Sequence, residues 1–324
     1  MRIGYFLSSE EYTPAQLVEQ ATLAEQAGFD ALWISDHFHP WNDAQGQSPF
    51  VWSVIGALSQ ACSLPVTTAV TCPTTRIHPG IVAQAAATSA AMLDGRFVLG
   101  LGSGEALNEH VLGQRWPVAD VRLDMLEEAV EVIRLLWSGE QVTFTGRFYT
   151  VEDARIYTRP PAPAPIYLSG FGPKSTELAA RIADGYISTS PDTRLLQAFR
   201  DGGGGSKPAQ GGYKVCWGTD PDVCVRVAHE LWANSGLPGE IAQVLPSPKH
   251  FEQAAAVVDE QSTRDSIAYG DDVDRHVSAF APYVDAGFDE VYIAQMGGAR
   301  SGTDYRGFFD FYGSRVLPKL RELG

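Results

Sequence analysis

Eight short apolar runs, nearly all separated by longer amphipathic stretches, limit what this chain can fold into more than any other feature. The runs read as strands at 2–6, Ala31–Ile34, Val66–Val70, Arg96–Leu101, Ile166–Leu168, Gly185–Ser188, Tyr213–Trp217 and Glu290–Ala294. Helical patterns follow at 14–27, 48–61, Pro79–Leu93, 119–137, 174–183, 221–233 and 305–320. The first helix has Thr13 as a cap and Gly28 as a stop. Strands that alternate with helices run parallel, because the chain must cross back before the next strand. Eight such units in 324 residues predict an α/β fold, a (β/α)8 TIM barrel with insertions, as one domain over 1–324. A doubly wound sheet needs a glycine-rich phosphate loop after its first strand, and Leu7-Ser8-Ser9-Glu10 has none.

Three segments depart from the alternation. Residues 141–165 suggest a β-hairpin turning at Thr145-Gly146, then a proline-rich connector. Residues 201–212 are glycine-rich and read as a flexible connector or a lid. Residues 234–285 read as mainly helical, with a short strand near Ile267–Tyr269.

The chain carries 24 Lys+Arg against 39 Asp+Glu, a formal charge of −15. This argues against nucleic-acid or membrane partners, which need surplus basic residues. The N-terminus lacks the basic and apolar regions of a signal peptide, and no run is long enough to span a bilayer. A soluble cytoplasmic protein is expected. Cys62, Cys72, Cys216 and Cys224 are widely spaced without a C-x-x-C pattern and read as reduced and buried. No metal site is expected.

Barrel chemistry gathers at the C-terminal ends of the strands. After the second strand comes Ser35-Asp36-His37-Phe38-His39-Pro40-Trp41; after the fourth, Gly102-Ser103-Gly104-Glu105-Ala106-Leu107-Asn108-Glu109. After the fifth comes Ser169-Gly170-Phe171-Gly172, and after the sixth Ser188-Thr189-Ser190. His37 suits proton exchange with a hydroxyl, Glu105 is a second acid or base, and Trp41 is an apolar wall. Gly102–Gly104 and Ser169–Gly172 expose backbone N–H groups suited to a phosphate. Taken singly, Asp36 reads as a helix cap and Glu105 as a first-turn acid; their coincidence at one mouth is the signal. His78, His110, His229, His250 and His276 read as surface or structural.

These motifs resemble those of the luciferase-like flavin and deazaflavin oxidoreductases. Within them the chain is most similar to glucose-6-phosphate dehydrogenases that use the deazaflavin coenzyme F420. The resemblance rests on Ser35–Trp41, on Thr68–Pro73 followed by Pro79-x-x-x-Ala83-Gln84-Ala85, and on Gly102–Glu109. Trp137-Ser138-Gly139 and Ala183-Asp184-Gly185 also fit, and the match is weakest from 195 to 290. It implies an F420-binding TIM barrel, usually a homodimer, that moves hydride to or from a carbinol carbon. Asp36 is implied to hold the deazaflavin side chain. Ala69-Val70 is implied to form a cis peptide behind the ring, with Cys72 nearby in place of a Thr. Glu105 and Asn108 flank the ring, and Ser103, Gly104, Ser169, Gly170, Phe171 and Gly172 serve the phosphate. His37, Trp41 and Glu105 are the implied catalytic residues.

The resemblance also implies a sugar-phosphate site built from a Thr, two Lys and an Arg. Thr189 matches the Thr and Arg264 loosely matches the Arg, but Asp192 and Gln253 stand where the lysines belong. Exchanging Lys for Asp swings two charges, worth several kcal/mol at ~5–8 Å and an effective dielectric of about 20. Glucose-6-phosphate is therefore expected to be poor. A non-phosphorylated sugar, an amino sugar paired with Asp192, or a secondary alcohol fits better, and an oxidation–reduction epimerase is a variant of the same chemistry. The alternatives are an F420-dependent glucose-6-phosphate dehydrogenase, an FMN-dependent luciferase-like monooxygenase and a non-catalytic barrel.

Overall fold

A computed structural model describes residues 1–300 and 302–323. Its strands are β1 (Arg2–Leu7), β2 (Ala31–Ile34), β3 (Val66–Thr68), β4 (Phe97–Leu101), β5 (Val142–Thr145), β6 (Thr150–Ala154), β7 (Ile166–Ser169), β8 (Gly185–Ser188), β9 (Ala209–Cys216), β10 (Ala268–Tyr269) and β11 (Glu290–Gln295). Strands β1, β2, β3, β4, β7, β8, β9 and β11 pair in that order, all parallel, and β11 returns to β1. The barrel is thus closed, and β5–β6 is a separate antiparallel hairpin, as the sequence predicts. The two-residue β10 extends the outer end of β9.

Local chemistry explains the helices that close each unit. Thr13 accepts the N–H of Gln16, whose side chain returns to the Thr13 N–H, and Gly28 ends the helix Pro14–Ala27 at φ 92°. Such a cap contributes about 1 kcal/mol. His78 is structural, one of the two roles expected of it: it caps the helix Pro79–Met92 through Nδ1. His276 is buried between the Tyr312 hydroxyl and the Gly270 carbonyl, and burial lowers its pKa to about 4.

The lower barrel interior is filled. Trp33 stacks on Tyr292 with ring centroids 4.4 Å apart, and its indole N–H donates to Gln210 at 2.8 Å. Gln210 donates to Glu290, which also takes Tyr292 and pairs with Arg2. This plug leaves the C-terminal mouth as the open end.

One expectation is corrected here. Residues 201–212 are not a free loop: Arg200–Gly204 continues the helix Thr193–Phe199, and β9 already begins at Ala209. The reason lies in close packing. A Cβ at Gly212 would lie 2.3 Å from the Trp33 ring, and one at Gly211 would lie 2.5 Å from Tyr283. Gly211 and Gly212 thus admit bulky neighbours, while Gly203 and Gly205 take the left-handed φ values of 119° and 53° that turn the chain toward β9. The third strand is also shorter than expected, ending at Thr68, and Ala69–Val70 is cis.

Candidate active site at the barrel mouth

The loop after β2 is folded around one side chain. Asn108 Oδ1 accepts the N–H groups of Phe38 at 2.8 Å and His39 at 3.0 Å. Its Nδ2 then faces His37 Nδ1 at 3.0 Å and also meets Glu105. The Asn108 amide N–H can only donate and the His39 carbonyl, 3.1 Å from the same Nδ1, can only accept. Nδ1 therefore serves one of the two at a time, and a ring proton on Nε2 is favoured by the carboxylates that face it. That Nε2 lies 3.3 Å from Glu10 and 3.8 Å from Glu105. Trp41 packs on the imidazole at a centroid distance of 5.0 Å and is backed by Phe251. His37, Trp41, Glu105 and Asn108 are therefore together, as the sequence leads one to expect. Glu105 sits at the head of the short helix Ala106–Glu109 without capping it, so its carboxylate stays available.

The neighbouring wall is a buried ion network. Asp36 accepts from Thr71 Oγ1 and Arg76, both at 2.8 Å. Arg76 also donates its backbone N–H to Glu109 at 2.7 Å. Burial alone would lower the Arg76 pKa, but Asp36 and Glu109 outweigh it and raise the value. Burial pushes Glu109 up to about 7 against the pull of Arg76. The Asp36 side chain is 1% exposed, so it ties β2 to the segment after β3 and offers little surface to a ligand. Cys72 is buried and bonded to Thr74 Oγ1 at 2.9 Å, and burial holds its thiol pKa well above the ordinary value. It fixes Gly104, which has φ 76° and whose Cβ would lie 2.6 Å from the sulfur.

The ends of β4 and β7 carry backbone donors. Gly102 and Gly170 spend their N–H groups on Thr71 and Ile187 carbonyls, and Gly172 bonds Ser175 Oγ at 3.3 Å. Among the described residues the N–H groups of Ser103, Gly104 and Phe171 have no protein acceptor. Ser169 and Phe171 border the same opening, Phe171 54% exposed.

Sequence reading missed an acidic and basic cluster after β1. Glu10 accepts from Ser35 Oγ at 2.7 Å and faces His37. Glu11 accepts the Gly297 N–H at 2.7 Å and the Trp232 indole N–H. Burial pushes Glu11 up to about 7, with those donors pulling it back. The Lys214 ammonium lies 4.2 Å over the Trp232 ring. Burial lowers its pKa, while Glu10 and Glu11 oppose that. The available signal was positional: Glu10 follows a barrel strand just as His37 does.

The four residues expected to hold substrate are not brought together. Thr189 lines a cavity of about 600 Å³ between β8, β9 and the helical insertion. Asp192 instead caps the helix Thr193–Phe199, accepting from the Arg194 and Leu195 N–H groups at 2.9 and 3.2 Å. Arg264 pairs with Asp222 at 2.8 Å, and Gln253 is exposed on the helix Pro248–Ala255. None of these three lines the cavity. The expected attraction of Asp192 for an amino sugar loses its footing, since that carboxylate serves the backbone.

Comparison with known proteins follows the same line. Residues 1–290 match the family described as luciferase-like monooxygenase. The chain is 37% identical to an F420-dependent glucose-6-phosphate dehydrogenase of Microbacterium testaceum, covering 99% of this chain and 98% of that protein. It is 38% identical to one of Nakamurella multipartita, over 100% and 97% of the two. A solved F420-dependent secondary alcohol dehydrogenase, in complex with an F420-acetone adduct, superposes with a TM-score of 0.90 at 32% identity, covering 99% of each chain. No helix among the described residues is long and apolar enough to cross a membrane.

Proposed function

We propose, for a chain that belongs to the luciferase-like monooxygenase family and is an F420-dependent oxidoreductase, that its substrate is a non-phosphorylated hydroxyl or carbonyl compound. The observation that carries the substrate class is the dispersal of Asp192, Gln253 and Arg264 to a cap, a surface and a surface ion pair. A phosphate dianion in a cavity needs paired cations, because burying its charge alone costs several kcal/mol.

The residues fit the coenzyme by the chemistry of their donors. The unpaired N–H groups of Ser103, Gly104 and Phe171 suit a phosphodiester, which needs donors rather than net positive charge. The −15 chain thereby accommodates an anionic coenzyme. Bound there, F420 supplies a deazaflavin ring that accepts or gives a hydride. The chain's part is to hold the substrate oxygen and move its proton. His37 Nε2–H is the donor toward that oxygen, with Glu10 behind it at 3.3 Å. Glu105, the more exposed of the two carboxylates, takes the hydroxyl proton in oxidation and returns it in reduction. Trp41 keeps water from one side of the pair.

The test is a titration of the purified protein with F420 and with FMN, then a screen of alcohols and sugars for bleaching of the oxidised deazaflavin absorbance. Tight FMN binding without F420 binding would reject the reading. Turnover of glucose-6-phosphate as fast as any other compound would reject the substrate class and favour the activity named for the relatives.

A further inference from the structure

Lys214 is a cationic group of the cavity that the reaction chemistry leaves without a task. It lines the 600 Å³ space, a volume within the range of small-molecule sites. Its ammonium records no hydrogen bond or ion pair among the described residues; what holds it is the face of Trp232. Trp232 is itself fixed by its indole N–H to Glu11. An ammonium has three donors and no acceptor, and a half-buried one without partners is costly unless a ligand supplies oxygens. Thr189, Ser190 and Ser235 line the same space, and their hydroxyls likewise have no protein partner among the described residues.

The charge balance narrows the ligand. Lys214 and Asp265 are the only charged side chains among the lining residues, one of each sign. Glu10 and Glu11, which do not line the cavity, already act on Lys214 through their charge. An added anion therefore meets no surplus of positive charge, and an added cation meets an ammonium. Neutral oxygens that both donate and accept satisfy the ammonium and the three hydroxyls at once. The remaining wall, with Phe6, Trp232 and Met296, is apolar and suits the carbon faces of a sugar or polyol.

We infer that Lys214, with Thr189, Ser190 and Ser235, forms a specificity site for a neutral polyhydroxylated substrate, the ammonium holding a hydroxyl oxygen remote from the reacting carbon. This rests on the reading of the chain as an F420-dependent oxidoreductase and sharpens its substrate class. It separates polyols from amino sugars, sugar acids and simple alcohols.

Binding is measured by calorimetry on the full chain with sorbitol, gluconate, glucosamine and propan-2-ol, with and without F420. Sorbitol is expected to bind at least about tenfold more tightly than the other three. Lys214→Met is expected to weaken sorbitol at least about tenfold, with Lys214→Arg recovering part of the loss and F420 affinity retained as the sign of an intact barrel. In turnover the effect falls on KM, and it is larger for polyols than for propan-2-ol. Gluconate or glucosamine binding as tightly as sorbitol overturns the inference. So does a Lys214→Met protein that keeps both F420 and sorbitol affinity. If Lys214→Met loses F420 affinity as well, Thr189→Val and Ser235→Ala decide: weakened sorbitol binding supports the site, and unchanged binding overturns it. Absence of F420 binding by the native chain is a separate failure, of the oxidoreductase reading, and leaves the sorbitol titration to be scored by itself.

Discussion

The two sides of the barrel mouth spend their charges differently. After β2, β3 and β4, Asp36, Arg76 and Glu109 are turned inward and bonded to one another, with Arg76 and Asp36 side chains 7% and 1% exposed. Across the mouth, Asp192, Arg264 and Gln253 are turned outward, to a helix cap, an exposed pair and solvent. The inward side is a fixed frame: a buried ion pair demands good geometry, and its loss exposes the whole desolvation cost. The outward side places no such demand, so its residues can change without disturbing the barrel. The difference is in keeping with the sequence reading, in which the resemblance is strongest at 35–41 and 102–109 and weakest from 195 to 290.

The largest expected effect comes from the reacting cluster on the framed side. Glu105→Gln keeps shape and removes the proton acceptor, and kcat/KM should fall by about 10²–10⁴. His37→Ala should fall in the same range. F420 affinity measured by fluorescence should change far less in both. If Glu105→Gln retains full turnover while His37→Ala does not, the proton is taken by the imidazole, and Nε2 is not its resting donor.

The frame itself is tested next. Arg76→Met leaves Asp36 and Glu109 facing each other without a cation. Removing one partner of a buried pair costs about 3–5 kcal/mol, to be read from urea unfolding at pH 7. Arg264→Met, on the outward side, should barely move the same curve. Equal losses at the two positions would erase the contrast between the sides.

Much of this was legible beforehand, and the limits have physical causes. Strand positions were readable because parallel strands buried on both faces appear as unbroken apolar runs. The cluster of His37, Trp41, Glu105 and Asn108 was readable because barrel geometry brings strand ends together. Gly211 and Gly212 misled, since a glycine admitting Trp33 or Tyr283 looks the same in sequence as one conferring flexibility. Asp192 misled because an Asp before a helix answers first to the backbone N–H groups in front of it. Lys214 was hidden in a strand, where no loop motif marks it.

A pH experiment sharpens the contrast on the substrate side. Glu11 titrates at about 7 in the folded chain against an ordinary 4.5, chiefly through burial. Between those values the folded chain holds a proton that the unfolded chain releases, so stability falls as pH rises through that window. At about 1.4 kcal/mol per pH unit, the native chain should lose about 2 kcal/mol from this group between pH 5.5 and 8. Glu11→Gln removes the titration. Its stability relative to the native chain should therefore rise by about that amount over the same interval. Parallel pH curves for the two proteins would show that Glu11 is ionised throughout and that Lys214 is its true counter-charge.

The smallest effect is expected where sequence comparison alone would place the largest. Asp192→Lys installs the residue that the sequence resemblance implies for a sugar-phosphate site at that position. If substrate charge were read there, the change would convert repulsion into attraction and raise glucose-6-phosphate turnover by orders of magnitude. The carboxylate, however, accepts two backbone N–H groups and pairs with Arg194 at 3.4 Å, outside the cavity. A lysine in its place loses the cap and extends into solvent beside Arg194, where water and salt screen it. Glucose-6-phosphate kcat/KM should then change by about fivefold at most, the range of a screened surface charge. The measurable consequence should instead be a slightly lower Tm from fraying of the helix Thr193–Phe199. A large gain in activity would return Asp192 to the substrate site and make the outward side a reader of charge after all.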